Sequence, residues 1–187
     1  RLIAEMAGED LPVFPVDHPL TFFGPYTAFE GTGKDIGYPL LRDQGNSAYM
    51  RDTGDPKTTE GGQIEWGYYE EHAPRLVHPR DLLEKEFARL SPSQRDLEME
   101  QIIAPLERAM ELTPILGELG YNESHSFNGL LQTTTDGGPS IGESQKVRGL
   151  WYAVGIWVKD GPGMGKLVAD WMTCLLYTSP SPRDLST

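Results

Sequence analysis

Residues 155–166, Gly-Ile-Trp-Val-Lys-Asp-Gly-Pro-Gly-Met-Gly-Lys, are the stretch best equipped for chemistry. An uncharged run rich in β-branched and aromatic residues ends at Val158, and glycines follow at 161, 163 and 165. Met164, Leu167, Val168 and Trp171 then recur at the i, i+3, i+4, i+7 spacing of a half-buried helix. Glycines let a backbone approach a ligand closely. The start of a helix presents unpaired N–H groups and the positive end of the dipole, which suits an anion or a developing negative charge. A phosphate loop would need Gly at 160 and Ser or Thr at 167, where Asp160 and Leu167 stand, and the dinucleotide fingerprint would need Gly where Lys166 stands. Two readings remain: the turn stabilises the N1–C2=O edge of a reduced flavin, or it only turns the chain.

The elements around this turn follow from periodicity. Residues 150–158 read as a strand buried on both faces of a mixed sheet, because the run carries no charge. Residues 127–135 read as another strand, closed by Asp136-Gly137-Gly138-Pro139. Upstream, residues 1–8 read as the end of a helix stopped by Gly8. Residues 11–18, with Pro12 and Pro15, read as an edge or extended strand. Residues 24–37 form a loop, and 38–42 and 47–51 are short strands joined by the turn Asp43-Gln44-Gly45-Asn46. After a polar loop over 52–62, residues 63–69 alternate, with Ile64, Trp66 and Tyr68 on one face. Asp81 and Glu84 resemble a capping box ahead of Leu83, Phe87 and Leu90. Ser91-Pro92 opens a second helix with the stripe Ile102, Ile103, Leu106 and Met110, in which Pro105 predicts a kink or a restart. Strands, two long helices, two strands and a helix make an α+β chain without internal repeats.

Bulk properties exclude several partners. At 187 residues, 38% hydrophobic and 24% charged, the chain is long and apolar enough to bury a core. The net charge of −12 comes with no cluster of Lys and Arg, which argues against nucleic acid. The longest apolar run, 149–158, is too short to span a bilayer. A single Cys174 rules out an internal disulfide framework or a cysteine zinc cluster and suits a reducing cytoplasm. His72, His78 and His125 lack metal-ligand spacing, so no metal is expected. The first residues lack both a starting Met and a signal-peptide pattern, and the chain reads as cut from something longer. Residues 174–187 resemble translated sequencing-adapter sequence; the alternative is a Ser/Pro-rich linker.

Several segments then carry a resemblance. Residues 133–144, Thr-Thr-Thr-Asp-Gly-Gly-Pro-Ser-Ile-Gly-Glu-Ser, are similar to the T-P-D-G-x-P-x-I-G-E signature of the FAD-dependent glycine-oxidase-like superfamily. Residues 155–171 resemble that family's closing G-x-G-V-G-x-x-x-A-x-W segment, and Gly8 with residues 11–18 resembles its G-V-x-(V/L)-P-L-x-P-x-x-H segment. Leu40-Leu41-Arg42-Asp43, Tyr49-Met50-Arg51 and Gly67-Tyr68-Tyr69-Glu70 are similar to landmarks of dimethylglycine and sarcosine dehydrogenases. These matches run in family order from residue 1 to about 173. The family usually reads His-Gln-Tyr where this chain has His18-Pro19-Leu20, and its tyrosine is expected to face flavin and amine.

The resemblance implies an α+β (α/β) fold, in which the closing part of an FAD-binding Rossmann-like domain joins an antiparallel-sheet substrate domain with helices. The substrate part would occupy mainly residues 1–126, and the return to the FAD-binding part 127–173. The implied reaction is oxidation of an N-methylated amino acid, dimethylglycine or sarcosine, by hydride transfer to FAD, with O2 or an electron-transfer flavoprotein as electron acceptor. Tetrahydrofolate would belong to a downstream domain outside this chain, and a piece of this kind is expected to be inactive alone. His18 is the candidate catalytic residue; its plain alternative is a strand-end histidine bonded to backbone. Arg42, Arg51 and Tyr49 are candidates for the substrate, with salt bridges the alternative use of both arginines. For the flavin the candidates are Asp136, Gly137, Gly155, Trp157, Val158, Lys159, Asp160, Gly161, Pro162, Gly163 and Met164. Leu20 in place of tyrosine favours a rival reading, a non-catalytic regulatory relative on the same scaffold.

Overall fold

The computed structural model describes residues 1–57, 61–69, 75–78 and 94–173. The helix expected near Asp81 and the tail beyond 173 lie outside them. The chain divides into two compact units, one formed by Arg1–Pro15 with Gln132–Thr187 and the other by Val16–Leu131.

The second unit is built on an antiparallel sheet. Its strands are β1 (Val13–Phe23), which begins in the first unit, β2 (Leu41–Asp43), β3 (Ala48–Asp52), β4 (Ile64–Tyr68) and β5 (Phe127–Thr134), which ends in the first unit, in the order β2-β3-β4-β1-β5. The residues expected on one face of β4, Ile64, Trp66 and Tyr68, are all buried. They pack with Phe23, Ala48 and Met50 against Ile102, the cap residue of helix α2 (Ile103–Leu112), Leu106 and Ala109 within that helix, and Leu116 of α3 (Ile115–Glu118). Side chains alternate across a strand, so the residues between them form the opposite face.

Two sequence expectations change here. β1 is an interior strand rather than an edge, although it contains Pro15 and Pro19. Its register with β4 covers only Leu20–Phe23, so the ladder starts just past the second proline, where N–H groups become available. The start expected at Ser91 lies outside the described residues; from 94 the chain is extended, with Arg95 bridging to Asn128, then makes a 3-10 turn (Met99–Gln101), and the α-helix runs from Ile103. Pro105 thus falls in the first turn, where its missing N–H has no carbonyl to meet, and this is the restart that proline predicts.

The first unit contains α1 (Leu2–Met6), a two-stranded antiparallel sheet of β6 (Ser140–Glu143) and β7 (Trp151–Val154), and α4 (Gly161–Met172). Gly8 ends the first helical segment at φ +74°, a left-handed value that favours glycine. The strand expected over 150–158 is corrected to four residues. It turns at Gly155 (φ +70°), and Val158 is 97% exposed. An uncharged apolar run imitates a doubly buried strand, but among the described residues β7 pairs only with β6. Met164, Leu167, Val168 and Trp171 are the partly covered residues of α4 together with Gly161 and Asp170, as the stripe predicts. Trp171 meets Trp151 edge-on at 5.5 Å between centroids.

Candidate functional site

The open face of the sheet gathers the candidate substrate residues of the second unit. Register places Arg42, Tyr49, Gly67 and Leu20 in one row across β2, β3, β4 and β1. Directly opposed residues project to the same side, so this row shares a face with the neighbouring row Arg51, Glu65 and Phe22. His18 and Tyr69 continue it by parity. His18 Nε2 lies 3.1 Å from Tyr49 Oη, and its ring stacks on Tyr69 at 4.7 Å between centroids. The Arg42 guanidinium sits 4.8 Å above the Tyr69 ring, and its Nε donates to Gln44. The His18 backbone N–H donates to the side-chain oxygen of Asn128 at 3.0 Å, which fixes the strand beneath the ring.

The electrostatics keep this cluster neutral at its centre. Burial lowers the His18 pKa from 6.5, because removal from water penalises the imidazolium. Burial, followed by the neighbouring Tyr69, pushes the Tyr49 phenol up to about 12. A neutral imidazole and a protonated phenol form this hydrogen bond with either tautomer of the ring. Arg42 supplies the positive charge beside them.

Of the four residues expected at the substrate, His18, Tyr49 and Arg42 come together. Arg51 shares the face but uses Nε and Nη2 on Glu65 Oε2, at 2.9 and 2.8 Å, which is the salt-bridge alternative. Two members of the cluster were not singled out from the sequence. Tyr69 belonged to a family landmark without a role, and Gly67 beside it gave no chemical signal of its own. His125 contacts Gln63 through Nδ1 at 3.0 Å.

In the first unit a cavity of about 940 Å³ is bounded by residues 8–12, by 138–143 and by α4. Asp136 and Met164 line it, as do Glu9, Lys146, Tyr152 and Trp171. Glu9 Oε2 accepts hydrogen bonds from Ser144 Oγ and Tyr152 Oη, both at 2.6 Å, and Glu9 Oε1 accepts from the Gln145 N–H at 2.7 Å. The Ser144 bond and then the Tyr152 bond hold the Glu9 carboxyl below its usual range, and Glu9 in turn raises Tyr152. Lys146 Nζ donates to the Gly8 carbonyl. Sequence reading missed this cluster. Its one signal was Tyr152, a hydroxyl within an otherwise apolar strand.

The remaining flavin candidates form the turn before α4. Asp136 Oδ1 accepts from Thr134 Oγ1 and the Gly138 N–H, with Gly137 at φ +70°. Gly155 donates to Gln132 Oε1 at 3.2 Å, and Trp157 Nε1 donates to the Gln132 carbonyl at 3.0 Å. Lys159 pairs with Asp160 at 2.7 Å and lies over the Trp157 ring. Gly155, Trp157, Val158, Lys159 and Asp160 therefore shape the turn, and neither they nor Gly137, Gly161, Pro162 and Gly163 line the cavity. In the first turn of α4, Gly161 N–H bonds back to Trp157 and Met164 N–H to Asp160, while Pro162 has no N–H. That leaves Gly163 N–H as the first-turn donor without a carbonyl among the described residues. A Cβ built on Gly161, Gly163 or Gly165 meets nothing within 4 Å. Internal packing does not require these glycines, and the bare backbone with one free donor fits a planar group carrying an electron-rich edge.

The family of FAD dependent oxidoreductases matches residues 1–171. The chain belongs to this family. FAD is the family's cofactor, and the donor, the glycines and the cavity of the first unit suit it. Mitochondrial dimethylglycine dehydrogenases of Rattus norvegicus and Homo sapiens are each 25% identical over 187 residues, 99% of this chain. The chain spans only about a fifth of those relatives, 20% of each. The fold is that of glycine oxidase from Geobacillus kaustophilus, with a TM-score of 0.62 at 20% identity over 98% of this chain and 41% of that one. Iminodiacetate oxidase from Chelativorans sp. BNC1 has a TM-score of 0.57 at 19% identity, over 97% of this chain and 42% of its own. Among the described residues no helix is long and apolar enough to cross a membrane.

Proposed function

We propose that this chain is part of an oxidoreductase that removes hydride from an N-methylated amino acid, such as dimethylglycine or sarcosine. The observation that carries the reading is the Arg42–Tyr69–His18–Tyr49 cluster on one face of the sheet. An amino-acid substrate has a carboxylate and an ammonium group. Arg42 suits the first by charge and by its fork of donors. The aromatic faces of Tyr69 and Tyr49 suit the methylated nitrogen. The nitrogen must lose its proton before a C–H hydride can leave, and neutral His18 is the base that takes it, with Tyr49 holding the ring. Bound FAD supplies the hydride acceptor. Asp136, Gly161, Gly163 and Met164 would hold it, with the Gly163 N–H at its electron-rich edge. In this reading Val16–Leu131 is the substrate unit and the other unit belongs to the flavin. The final acceptor is O2 or an electron-transfer flavoprotein, and the compartment is the cytoplasm.

Anaerobic mixing of the flavin-loaded full-length protein with dimethylglycine, sarcosine, glycine and iminodiacetate tests the reading. Faster bleaching of flavin absorbance by the N-methylated pair is expected. Bleaching by glycine or iminodiacetate alone overturns the substrate assignment.

A further inference from the structure

Tyr49 reaches His18 from two strands away, and β4 lies between them in the sheet. The residue of β4 directly opposite Tyr49 is Gly67. A Cβ at position 67 would stand 2.4 Å from Tyr49 Oη, 2.5 Å from Cζ and 3.0 Å from Cε1. The phenol therefore occupies the space that a side chain at Gly67 would fill. Gly67 is not at a positive φ, so the backbone itself does not call for glycine here. On the far side of Gly67 stands Leu20, which brings no hydroxyl. Tyr49 is thus the only phenol in the row Arg42, Tyr49, Gly67 and Leu20.

We propose that Gly67 is a positioning residue: its missing side chain lets the Tyr49 phenol cross β4 and deliver its hydroxyl to His18 Nε2. In consequence a strand without a hydroxyl at position 20 still acquires one beside His18, borrowed from β3. The role of this arrangement in amine oxidation rests on the substrate reading above, but the arrangement itself does not. Any side chain at 67 lifts the phenol off the sheet and separates the pair. An aromatic ring over a glycine also stabilises a sheet by covering its backbone. The two roles separate because packing alone gives Gly67 no influence on the state of His18.

The test uses flavin-loaded full-length protein labelled with 15N-histidine. The signal of His18 among the four histidines of this chain is assigned by loss in His18→Gln. Tyr49→Phe keeps the ring and removes the hydroxyl, and it should abolish the hydrogen-bond shift of His18 Nε2. Gly67→Ala should abolish the same shift, and the double variant should match either single one. With dimethylglycine as the probe, the acid limb of the flavin-reduction profile should move equally in all three. A Gly67→Ala protein with the wild-type His18 signal and acid limb overturns the proposal. So does a Gly67→Ala effect that persists in full when Tyr49 is already Phe. If Gly67→Ala alone does not fold, Tyr49→Ala removes the clashing atoms. Gly67→Ala added to that background must then leave His18 at its Tyr49→Ala value, and a further shift overturns the proposal. Coupled His18 shifts without flavin reduction by dimethylglycine support the positioning role and overturn only the choice of substrate.

Discussion

Replacing Gly163 with alanine should move stability and flavin affinity in opposite directions. Gly163 is an exposed residue in the first turn of α4, and a Cβ there meets nothing within 4 Å. Within a helix, glycine is less stable than alanine by about 0.5–1 kcal/mol because its backbone loses more freedom. With no clash to offset it, Gly163→Ala should stabilise the flavin-free protein. At this size that amounts to a rise in Tm of up to about 2–4 °C. The same methyl group occupies the space in which a flavin edge would approach the Gly163 N–H. Moving the edge off this donor should weaken FAD binding about tenfold, equivalent to ~1.4 kcal/mol. Thermal melting of the flavin-free protein and fluorescence titration with FAD measure the two quantities separately. A lower Tm would show that the methyl group meets something inside the protein. Unchanged FAD affinity would mean that the glycines serve only to turn the chain.

Other perturbations follow from the second unit. Asp17 is buried and held by Arg95, Arg75 and Gln101, so Asp17→Ala, which removes the acceptor as well as the charge, should cost about 1–3 kcal/mol in urea unfolding. Trp66 is fully buried in the core, and Trp66→Ala should cost about 3–5 kcal/mol in the same assay. Burial lowers the folded pKa of His18, so its contribution to stability is complete above about 6.5 and is lost as pH falls through the lowered value. His18→Gln should remove that part of the acid slope in melts between about pH 5 and 7.5. Tyr49 works in the other direction: its contribution is present below its ordinary 10.0 and is lost as pH rises toward about 12. Ultraviolet titration should therefore show late tyrosinate formation, and Tyr49→Phe should remove one late phenol while Tyr152, which Glu9 also raises, remains.

Patterns with a single physical cause were legible in the sequence. The alternation of Ile64, Trp66 and Tyr68 specifies one buried face, and nothing elsewhere in the chain overrides it. The stripe of α4 is equally direct, because a helix of that length has only one face to bury. Features set by remote partners were not legible. Whether the run 150–158 is buried depends on which strands flank it, and only β6 does among the described residues. Whether Arg51 meets a substrate or Glu65 depends on the β3–β4 register, which local spacing does not encode. Glu9 lies 135 residues from Ser144, so its role as their common acceptor left no local trace. Gly67 was hidden for a further reason: its contribution is an absence of atoms, visible only once Tyr49 is seen to occupy the space.

The placement of β1 between β4 and β5 also has a consequence during synthesis. His18 and Asn128, whose bond fixes the strand under the cluster, are separated by 110 positions. At roughly 5–20 residues per second, β1 leaves the ribosome about 5–20 s before the strand that closes its second side. Through that interval one flank of β1 is an unpaired strand edge, which invites pairing with neighbouring nascent chains. On this flank the His18 N–H waits for Asn128, while Pro15 and Pro19 share the parity of Asp17, whose N–H points the other way, to the Arg75 carbonyl. The two prolines thus thin the pairing on the side of β4 and leave the side that waits longest with its N–H groups intact.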